Sequence, residues 1–296
     1  MPTDNRDIDQ GLDGPPRIVV LGSINMDLVL RCRSIPSPGE TKLAQASAEC
    51  CGGKGANQAI AAAKAGGRVD LIGAVGDDAY AEHLIANLRR YGVGCDRVRR
   101  MEDQSSGLAV IAVDDQGQNS IIVLSGANAH VTPDWVAHHQ DTIAHADCLM
   151  IQLEIPIESA MKGIEIARAH SVRVMLDPAP SPTDPPDEMF DVDLICPNES
   201  EAAALTGCDL STDDGRQLAV RRLHDRGVKN VAITLAEEGT LLSEGGDVTR
   251  IPSIEIEPVD TTAAGDAYAG ALAVRWCQNQ DLKDAIRFAN VAGALA

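Results

Sequence analysis

The sequence predicts an α/β protein: a three-layer, Rossmann-like domain with a parallel sheet, and a small β-sheet lid. Beyond Thr132, short apolar runs alternate regularly with helical segments, which is typical of right-handed crossovers in a parallel sheet. Two apolar runs that flank "DDQGQN" predict a β-hairpin outside this alternation. With 296 residues, 44% of them hydrophobic, the chain is long enough to bury a sizeable core.

The first half of the chain predicts a βα unit and the strands of the lid. The apolar run "IVVL" ends at Gly22 and predicts a buried first strand, and an Ala-rich helix is expected over residues 55–65. A double glycine ends that helix, and "VDLIGAVG" predicts the next strand. Segments near 28–50 and 106–124 have β character and predict the lid. The following helix places five apolar side chains at helical spacing: Tyr80, Leu84, Ile85, Leu88 and Tyr91.

The second half of the chain predicts strands and helices in strict alternation. Strands are expected at "DCLMIQL", "VRVMLD", "DLIC" and "NVAITL", with helices near 156–170, 199–205 and 213–226. A strand-rich segment and two helices complete a domain of residues 17–296, which follows a polar, flexible tail of residues 1–16. Ligands of such a sheet bind beyond the carboxyl ends of its strands, so functional residues are expected directly after strands.

The composition excludes several classes of partner. A formal net charge of −19, from 44 acidic and 25 basic residues, disfavours binding to nucleic acid and to anionic membrane surfaces. No apolar run approaches the roughly 18 residues that a membrane span needs. The eight cysteines form no C-x-x-C pair and predict reduced thiols in a cytoplasmic protein. The seven histidines show no metal-binding spacing and are expected at the surface.

The segment "VDTTAAGDAYAGA", residues 259–271, predicts an anion pocket. If Asp260 ends a strand while Ala264 and Gly265 open a helix, the free N–H groups of the first helical turn can bind anionic oxygens. Asp266 then lies beside the pocket, and its place at a helix N-terminus predicts an ionised, weakly basic carboxylate. A weak base is sufficient for phosphoryl transfer, because the attacking hydroxyl mainly needs positioning. The alternative is an ordinary helix start with an acidic residue in its first turn.

A second glycine motif, "CGGKGANQAIAAAKAGG", lies at residues 51–67. Gly53 permits a positive φ and a close approach of the backbone to a ligand, and Asn57 offers donors and an acceptor in the first turn of the next helix. The position of Lys54 does not fit a Walker A sequence. Taken alone, this glycine cluster could also be only a tight turn.

Together the two segments match the signature patterns of the ribokinase-like sugar kinase family. The motifs "LGSINMDLVL", "GGKGANQA", "GANA", "QLEIP", "DPAP" and "PNESEA" resemble the family in the same order, from about Arg17 to the last residue. The resemblance implies ATP-dependent phosphorylation of D-ribose at its 5-hydroxyl, with magnesium, a monovalent cation (usually potassium) and a homodimer paired through the lid. Two alternatives stay open: a kinase for deoxyribose, another sugar or a nucleoside, and a non-catalytic sugar-binding protein.

The resemblance also implies a set of sugar contacts. Asp266 would orient and deprotonate the 5-hydroxyl, and the N–H groups of residues 263–266 would hold the charge of the transferring phosphoryl group. A polar turn at residues 25–27 and a helix-start acid at Glu154 are the alternatives for two of the contacts. The predicted sugar-binding residues are Asn25, Asp27, Gly53, Lys54, Asn57, Glu154 and Asp266. The predicted catalytic residues are Ala263, Ala264, Gly265 and Asp266.

Nucleotide and metal contacts are implied in the same way. Asn198 and Glu201 form the N-x-x-E arrangement that the family links to magnesium and phosphate, although the same spacing also fits a helix capping box. Glu201 is the predicted magnesium residue, and Asp260 and Thr262 match the monovalent-cation positions. The predicted nucleotide-binding residues are Asn198, Thr234, Gly239, Gly265 and Asn290.

The sequence departs from the family pattern at two places. Ala236 stands where the family usually has Gly, and "AEEG" brings two acids near the expected phosphates. The chain stops at Ala296 inside a predicted helix, whereas family members continue with a segment that completes the adenine pocket and the cation site. We therefore expect that C-terminal segment to be missing from this chain.

Overall fold

The computed structural model describes residues 14–256 and 263–296. Within these residues the strands form two sheets, and α-helices pack on both faces of the larger one. The strands are β1 (Arg17–Leu21), β2 (Asn25–Arg31), β3 (Ala46–Gly52), β4 (Arg68–Val75), β5 (Val98–Arg100), β6 (Gly107–Val113), β7 (Asn119–Leu124), β8 (Cys148–Ile151), β9 (Arg173–Leu176), β10 (Leu194–Ile195), β11 (Asn230–Thr234), β12 (Thr240–Glu244) and β13 (Asp247–Ile251). The helices are α1 (Lys54–Lys64), α2 (Ala79–Arg90), α3 (Pro133–His138), α4 (Gln140–Ala144), α5 (Ile157–Ala169), α6 (Glu199–Thr206), α7 (Asp213–Asp225), α8 (Ala264–Asn279) and α9 (Leu282–Ala294).

The larger sheet has the strand order β13-β12-β11-β10-β9-β8-β1-β4-β5. The strands from β5 to β11 in this order run parallel, and β12 and β13 add an antiparallel edge. The first strand, β1, is the third strand from the β5 edge, and its Ile18 pairs with Val69 on one side and Cys148 on the other. The predicted α/β class with a parallel sheet is confirmed.

The alternation of side chains along β1 explains the three layers. Ile18 and Val20 point into the core under α1, α2, α8 and α9, whereas Val19 and Leu21 point into the core under α3 to α7. Successive residues of a strand face opposite sides of a sheet, and all four side chains are apolar, so both faces bury apolar surface. The predicted helices on both sides of the sheet are therefore present.

The small sheet consists of β3, β2, β6 and β7, in that order. Its two inner strands are parallel and begin side by side, because Asn25 and Gly107 are register partners. The outer strands β3 and β7 pair antiparallel with them. The small second sheet predicted from the sequence is confirmed, and its root lies where β2 follows β1.

The histidines were expected at the surface, but His130, His139 and His224 are only partly exposed. The two ring nitrogens of His224 lie 2.8 Å from the Val228 carbonyl oxygen and 2.9 Å from Ser243 Oγ. The ring joins the end of α7 to β12. Among the described residues, none of the helices has the length and apolar character required to cross a bilayer.

Candidate active site

Acidic side chains collect at the carboxyl edge of the larger sheet. Glu154 follows β8, Asp177 follows β9 and Glu201 lies in the first turn of α6. Burial lowers the pKa of Lys54, but the negative charges of Asp177, Asp266, Glu154 and Glu201 together raise it above its usual value. One ammonium group therefore lies within electrostatic reach of four carboxylates, and the region around these groups is called the cleft below.

Glu154 is held by three donors on one side of the cleft. Its Oε2 accepts from Ser23 Oγ at 2.5 Å, from Asn25 Nδ2 at 3.3 Å and from the Lys54 backbone N–H at 3.2 Å. The first donor follows β1 and the third opens α1, so Glu154 ties the end of β8 to both elements. This arrangement fixes one carboxylate oxygen at the base of the small sheet.

Asn25, predicted to contact the sugar directly, is held by internal hydrogen bonds. The residue is 2% exposed, its Nδ2 donates to Glu154, and its Oδ1 accepts from Asn128 Nδ2 at 2.7 Å. Asn128 also accepts from the Ile24 backbone N–H at 3.0 Å. The structure thus turns the Asn25 amide inward, where it supports Glu154.

Asp27 projects from the small sheet toward the same cleft. Burial, followed by the nearby charges of Glu154 and Asp266, raises its pKa to about 6. A Cβ atom at Gly52 would lie 2.1 Å from Asp27 Oδ2, so glycine is needed there to leave room for the carboxylate. The sequence-predicted acids Asp27, Glu154 and Asp266 are therefore brought together.

Gly53 allows the backbone to turn into α1 beside the cleft. Its φ is 91°, in the left-handed region, and a Cβ atom there would lie 2.6 Å from the Asn25 backbone nitrogen. The close approach places Lys54 and Asn57, in the first turn of α1, against the strand that carries Asp27. The predicted glycine turn thus positions the other predicted residues of its motif.

Asp266 lies at the start of α8 and is 8% exposed. Its Oδ2 accepts from Asn57 Nδ2 at 3.0 Å, and its Oδ1 accepts from Gln58 Nε2 at 3.1 Å. Burial raises the pKa of Asp266, and the Lys54 charge and these two amide donors only partly oppose the rise. From its place at a helix N-terminus, the sequence predicted a weakly basic carboxylate. The raised pKa corrects this prediction, because burial has a larger effect on the pKa than the helix N-terminus.

The first turn of α8 opens onto the cleft. Ala263 adopts the left-handed conformation with φ 62°, and no described side chain caps the helix. Ala264 and Gly265 follow it, and a Cβ atom at Gly265 would meet no described atom within 4 Å. Uncapped N–H groups beside open space can bind anionic oxygens. The predicted cation residues, Asp260 and Thr262, lie outside the described residues.

Two predicted nucleotide residues are neighbours: Asn198 lies beyond the end of β10, and Thr234 is the last residue of β11. Asn198 and Thr234 form an isolated parallel bridge, and the Thr234 backbone N–H donates to the Pro197 carbonyl at 3.0 Å. Asn198 also forms a complete capping box with Glu201, with both hydrogen bonds at 2.9 Å. The capping alternative is therefore present, and the charge of Glu201 still reaches Lys54 and Asp177.

The backbone of the loop after β11 shows why glycine is usual at the position of Ala236. Ala236 has φ 48° and Gly239 has φ 91°, so both residues occupy the left-handed region that favours glycine. Glu238 binds Arg216 at 3.2 Å and also pairs with Arg250. Hydrogen bonding and charge from Arg216, and then Arg250, lower the pKa of Glu238. One of the two acids expected near the phosphates is thus already neutralised by arginine.

Asn290 is a buried link between α9 and the end of β13. Its Oδ1 accepts from Thr240 Oγ1 at 2.8 Å, and its Nδ2 donates to the carbonyls of Ile251 at 3.2 Å and Pro252 at 3.1 Å. The residue is 7% exposed. The structure therefore uses the amide, predicted to contact the nucleotide, for internal hydrogen bonds.

Five polar residues of the cleft were not assigned a role from the sequence. All of them fall inside or next to motifs that were recognised, such as "GGKGANQA", "GANA" and "DPAP", but spacing alone does not show which side chains meet. Asp177 is the clearest case, because burial raises its pKa to about 7 although Lys54 opposes the shift. The residues are Ser23, Gln58, Asn128, Gln152 and Asp177.

Comparisons with known proteins agree with this geometry. The family described as "pfkB family carbohydrate kinase" matches residues 15–296. The chain is 36% identical over 281 residues to a ribokinase of Staphylococcus aureus and 34% identical over 285 residues to a deoxyribokinase of Salmonella typhi; each comparison covers 94% of this chain and 92% of the relative. The structure of Arabidopsis thaliana ribokinase complexed with ribose and ATP has a TM-score of 0.86 and 33% identity, covering 95% of this chain and 92% of that one.

Proposed function

We propose, because this chain belongs to the pfkB family of carbohydrate kinases, that it transfers the γ-phosphoryl group of ATP to the 5-hydroxyl of D-ribose, giving D-ribose 5-phosphate. The observation that carries the proposal is that Glu154 and Asp266 both accept hydrogen bonds from the first turn of α1, with Asp27 near enough for their charges to raise its pKa. Similarity to several ribokinases, one of them solved with ribose and ATP, supports these substrates.

The sugar would lie between the small sheet and α1. Carboxylate oxygens of Asp27 and Glu154 can accept hydrogen bonds from neighbouring hydroxyls of a pentose, and Asn57 can hold the ring from the other side. The small sheet would act as a lid over this position. Closure of the lid excludes water, which otherwise competes with the sugar for the phosphoryl group.

Transfer then requires one proton to move and one phosphorus–oxygen bond to exchange. The 5-oxygen attacks the γ-phosphorus, its proton passes to the Asp266 carboxylate, and the bond to the bridging oxygen breaks to release ADP. The raised pKa of Asp266 brings its basicity closer to neutral pH, which favours a general base. N–H groups of residues 263–266 and the Lys54 ammonium would oppose the negative charge of the transferring group.

A magnesium ion fits the acidic edge of the cleft. Kinase sites usually bind magnesium through one or two carboxylates and the substrate phosphates. Among the described residues no group of three or more metal-binding side chains occurs, and Glu201 offers a carboxylate that faces Lys54 and Asp177. When bound, magnesium offsets phosphate charge. The monovalent cation at Asp260 and Thr262, usually potassium, stays a prediction from the sequence.

A kinase for deoxyribose is the second candidate. The deoxyribokinase of Salmonella typhi and a ribokinase of Haemophilus influenzae are equally similar to this chain: each is 34% identical and covers 94% of it. We propose ribose first because Asp27 and Glu154 place two carboxylates where neighbouring hydroxyls of the sugar would lie.

A panel of acceptors tests the proposal. Steady-state rates with ATP would be measured for D-ribose, 2-deoxy-D-ribose, D-fructose and adenosine. We expect the highest kcat/KM with D-ribose. A higher value with another acceptor would replace ribose by that acceptor. Calorimetric binding of ribose without binding of a non-hydrolysable ATP analogue, and without turnover, would instead support a sugar-binding protein.

We also propose a cytoplasmic homodimer that pairs through the small sheet. Every residue of the edge strand β7 is exposed, including Ile122 at 72% and Leu124 at 55%. An exposed apolar edge strand is a favourable surface for pairing with a second chain. The cytoplasmic location follows from the pattern of cysteine usage.

A further inference from the structure

Gln58 connects the proposed base to three other elements of the fold. It lies on α1 and is 1% exposed. Its Nε2 donates to Asp266 Oδ1 on α8 at 3.1 Å and to Asp177 Oδ2, directly after β9, at 2.6 Å. Both hydrogens of one amide are therefore used by two buried carboxylates.

Gln152 determines the orientation of this amide. Its Nε2 donates to Gln58 Oε1 at 2.5 Å, and the residue is fully buried directly after β8. Because the opposite end of the Gln58 amide faces two acceptors, a reversed amide would bring oxygen against carboxylate on one side and NH2 against NH2 on the other. Gln152 thus holds the Gln58 amide, and the Gln58 amide in turn holds the Asp266 carboxylate.

The two donors of Asp266 approach from different sides. The contact from Gln58 to Oδ1 is buried, whereas the contact from Asn57 to Oδ2 is partly exposed at the cleft. Gln58 therefore holds the inner oxygen and turns the outer oxygen toward the position of the sugar. The charged groups that act on Asp266 are Lys54, Asp27, Glu154 and Asp177.

We propose that Gln58 is a positioning residue for phosphoryl transfer, which holds the inner oxygen of Asp266 through an amide that Gln152 fixes in place. The inference rests on the proposed function for its kinetic part only. Loss of the Gln58 amide leaves a buried carboxylate without one donor and free to rotate. Asp266 then keeps its proton to a higher pH, and its carboxylate is less well oriented toward the sugar hydroxyl. The sugar contacts at Asp27 and Glu154 remain.

The first experiment compares Gln58→Leu with the wild-type enzyme across pH 5.5–9.5. We expect kcat to fall about tenfold at pH 7, the KM for ribose to change less than about threefold, and the acid limb of kcat/KM to move up by about one pH unit. Raising the pH should restore much of the lost rate. Ser243→Ala serves as the matched control, because it removes a buried partner of His224 near the start of β11, at the opposite edge of the sheet from the cleft.

A carboxyl NMR titration separates failure of this inference from failure of the proposed function. Aspartate carboxyl carbons are labelled with ¹³C, and Asp266 is assigned from the spectrum of Asp266→Asn. We expect a higher pKa for Asp266 in Gln58→Leu than in the wild-type protein, whether or not ribose is a substrate. Unchanged titration of Asp266 overturns the inference even if ribose is phosphorylated.

A second variant keeps the test decisive if Gln58→Leu does not fold. Gln152→Leu should shift the same titration in the same direction, because Gln152 acts through Gln58. The double variant should behave like Gln58→Leu alone. Wild-type titration of Asp266 in Gln152→Leu, or additive pKa shifts in the double variant, would refute the claim that Gln152 acts on Asp266 through Gln58.

Discussion

The carboxylate of Asp266 is controlled by two opposing effects. Burial raises its pKa, whereas Lys54 and the amides of Asn57 and Gln58 stabilise the charged form. A free aspartate would be ionised at neutral pH but would be a poor proton acceptor. The raised pKa therefore gives a stronger base that is still held in one orientation by two donors, which is the combination a hydroxyl nucleophile requires.

Asp266→Asn tests this base directly. The amide has nearly the same shape but cannot accept the hydroxyl proton, so we expect kcat to fall by about 10³-fold. Ribose affinity, measured by calorimetry, should stay within a few-fold of the wild-type value because Asp27 and Glu154 are retained. Turnover equal to that of the wild-type enzyme would remove Asp266 from the mechanism.

Asp27→Asn is the matched control at the sugar end of the cleft. Its carboxylate is expected to bind the sugar equally in the ground state and the transition state. Its loss should therefore raise the KM for ribose by about tenfold and leave kcat within a few-fold. A reversed pattern, with kcat lost and KM kept, would show that the two aspartates have been assigned the wrong roles.

At the scale of elements, the first turn of α8 and the turn before α1 use glycine for different reasons. A Cβ atom at Gly265 would meet no atom of the described residues within 4 Å, whereas Gly53 has φ 91° and backbone atoms where a Cβ would lie. The first glycine therefore leaves room for a ligand, and the second is required by the fold itself. Substitution by alanine should separate these two requirements.

Gly265→Ala should fold normally and lose activity. We expect the free energy of unfolding to change by less than about 1 kcal/mol, since alanine is compatible with a helix. The methyl group would occupy the space of the transferring phosphoryl group, so kcat/KM for ATP should fall about tenfold or more. Gly53→Ala, by contrast, should lower the free energy of unfolding by more than about 1 kcal/mol. Equal stability losses in the two variants would contradict this distinction.

The proposed dimer interface at strand β7 of the small sheet can be tested by substitution. Ile122→Glu should convert the proposed dimer into a monomer, because a charge in an apolar interface is left unpaired. Val248→Glu is the control: Val248 is 39% exposed on β13, the edge strand at the far end of the larger sheet. Light scattering after gel filtration gives the mass of each variant. A dimeric Ile122→Glu protein would exclude β7 from the interface.

At the scale of the whole molecule, stability should depend on pH through buried acids. The pKa of Asp27 is about 6 in the folded protein and 3.8 without the fold, so between these values the folded state binds more protons. The free energy of unfolding should therefore fall as pH rises from about 4 to about 6. Groups with lowered pKa values, such as Asp193, act in the opposite direction below 3.8.

Denaturant unfolding at pH 4.5 and 6.5 measures the effect. Because Asp27 is partly exposed, solvent screening limits its contribution to at most about 2 kcal/mol. The variant Asp27→Asn should show a smaller loss between the two pH values than the wild-type protein, while Asp177, whose pKa is about 7, contributes to both proteins. Parallel pH profiles for the two proteins would rule out a raised pKa at Asp27.

The fold was predictable because most of its evidence is local in the sequence. Apolar periodicity marked the strands and helices, and collinear motifs indicated the family, which is confirmed. The roles of Asn25, Gln58 and Gln152 were not predictable. Each depends on a partner that is distant in the chain: Gln58 meets Gln152 across 94 positions and Asp266 across 208. A motif indicates that an amide is present but not which way it turns.

The fold also brings together groups that are made at different times during synthesis. The backbone N–H of Arg17, at the start of β1, donates to Asp147, 130 positions later, and Asp266 meets Asn57 across 209 positions. A ribosome delivers the glycine turn and the small sheet long before the helix that carries the base. Nascent chains that lack α8 therefore carry most of the proposed sugar-binding groups but not the proposed base.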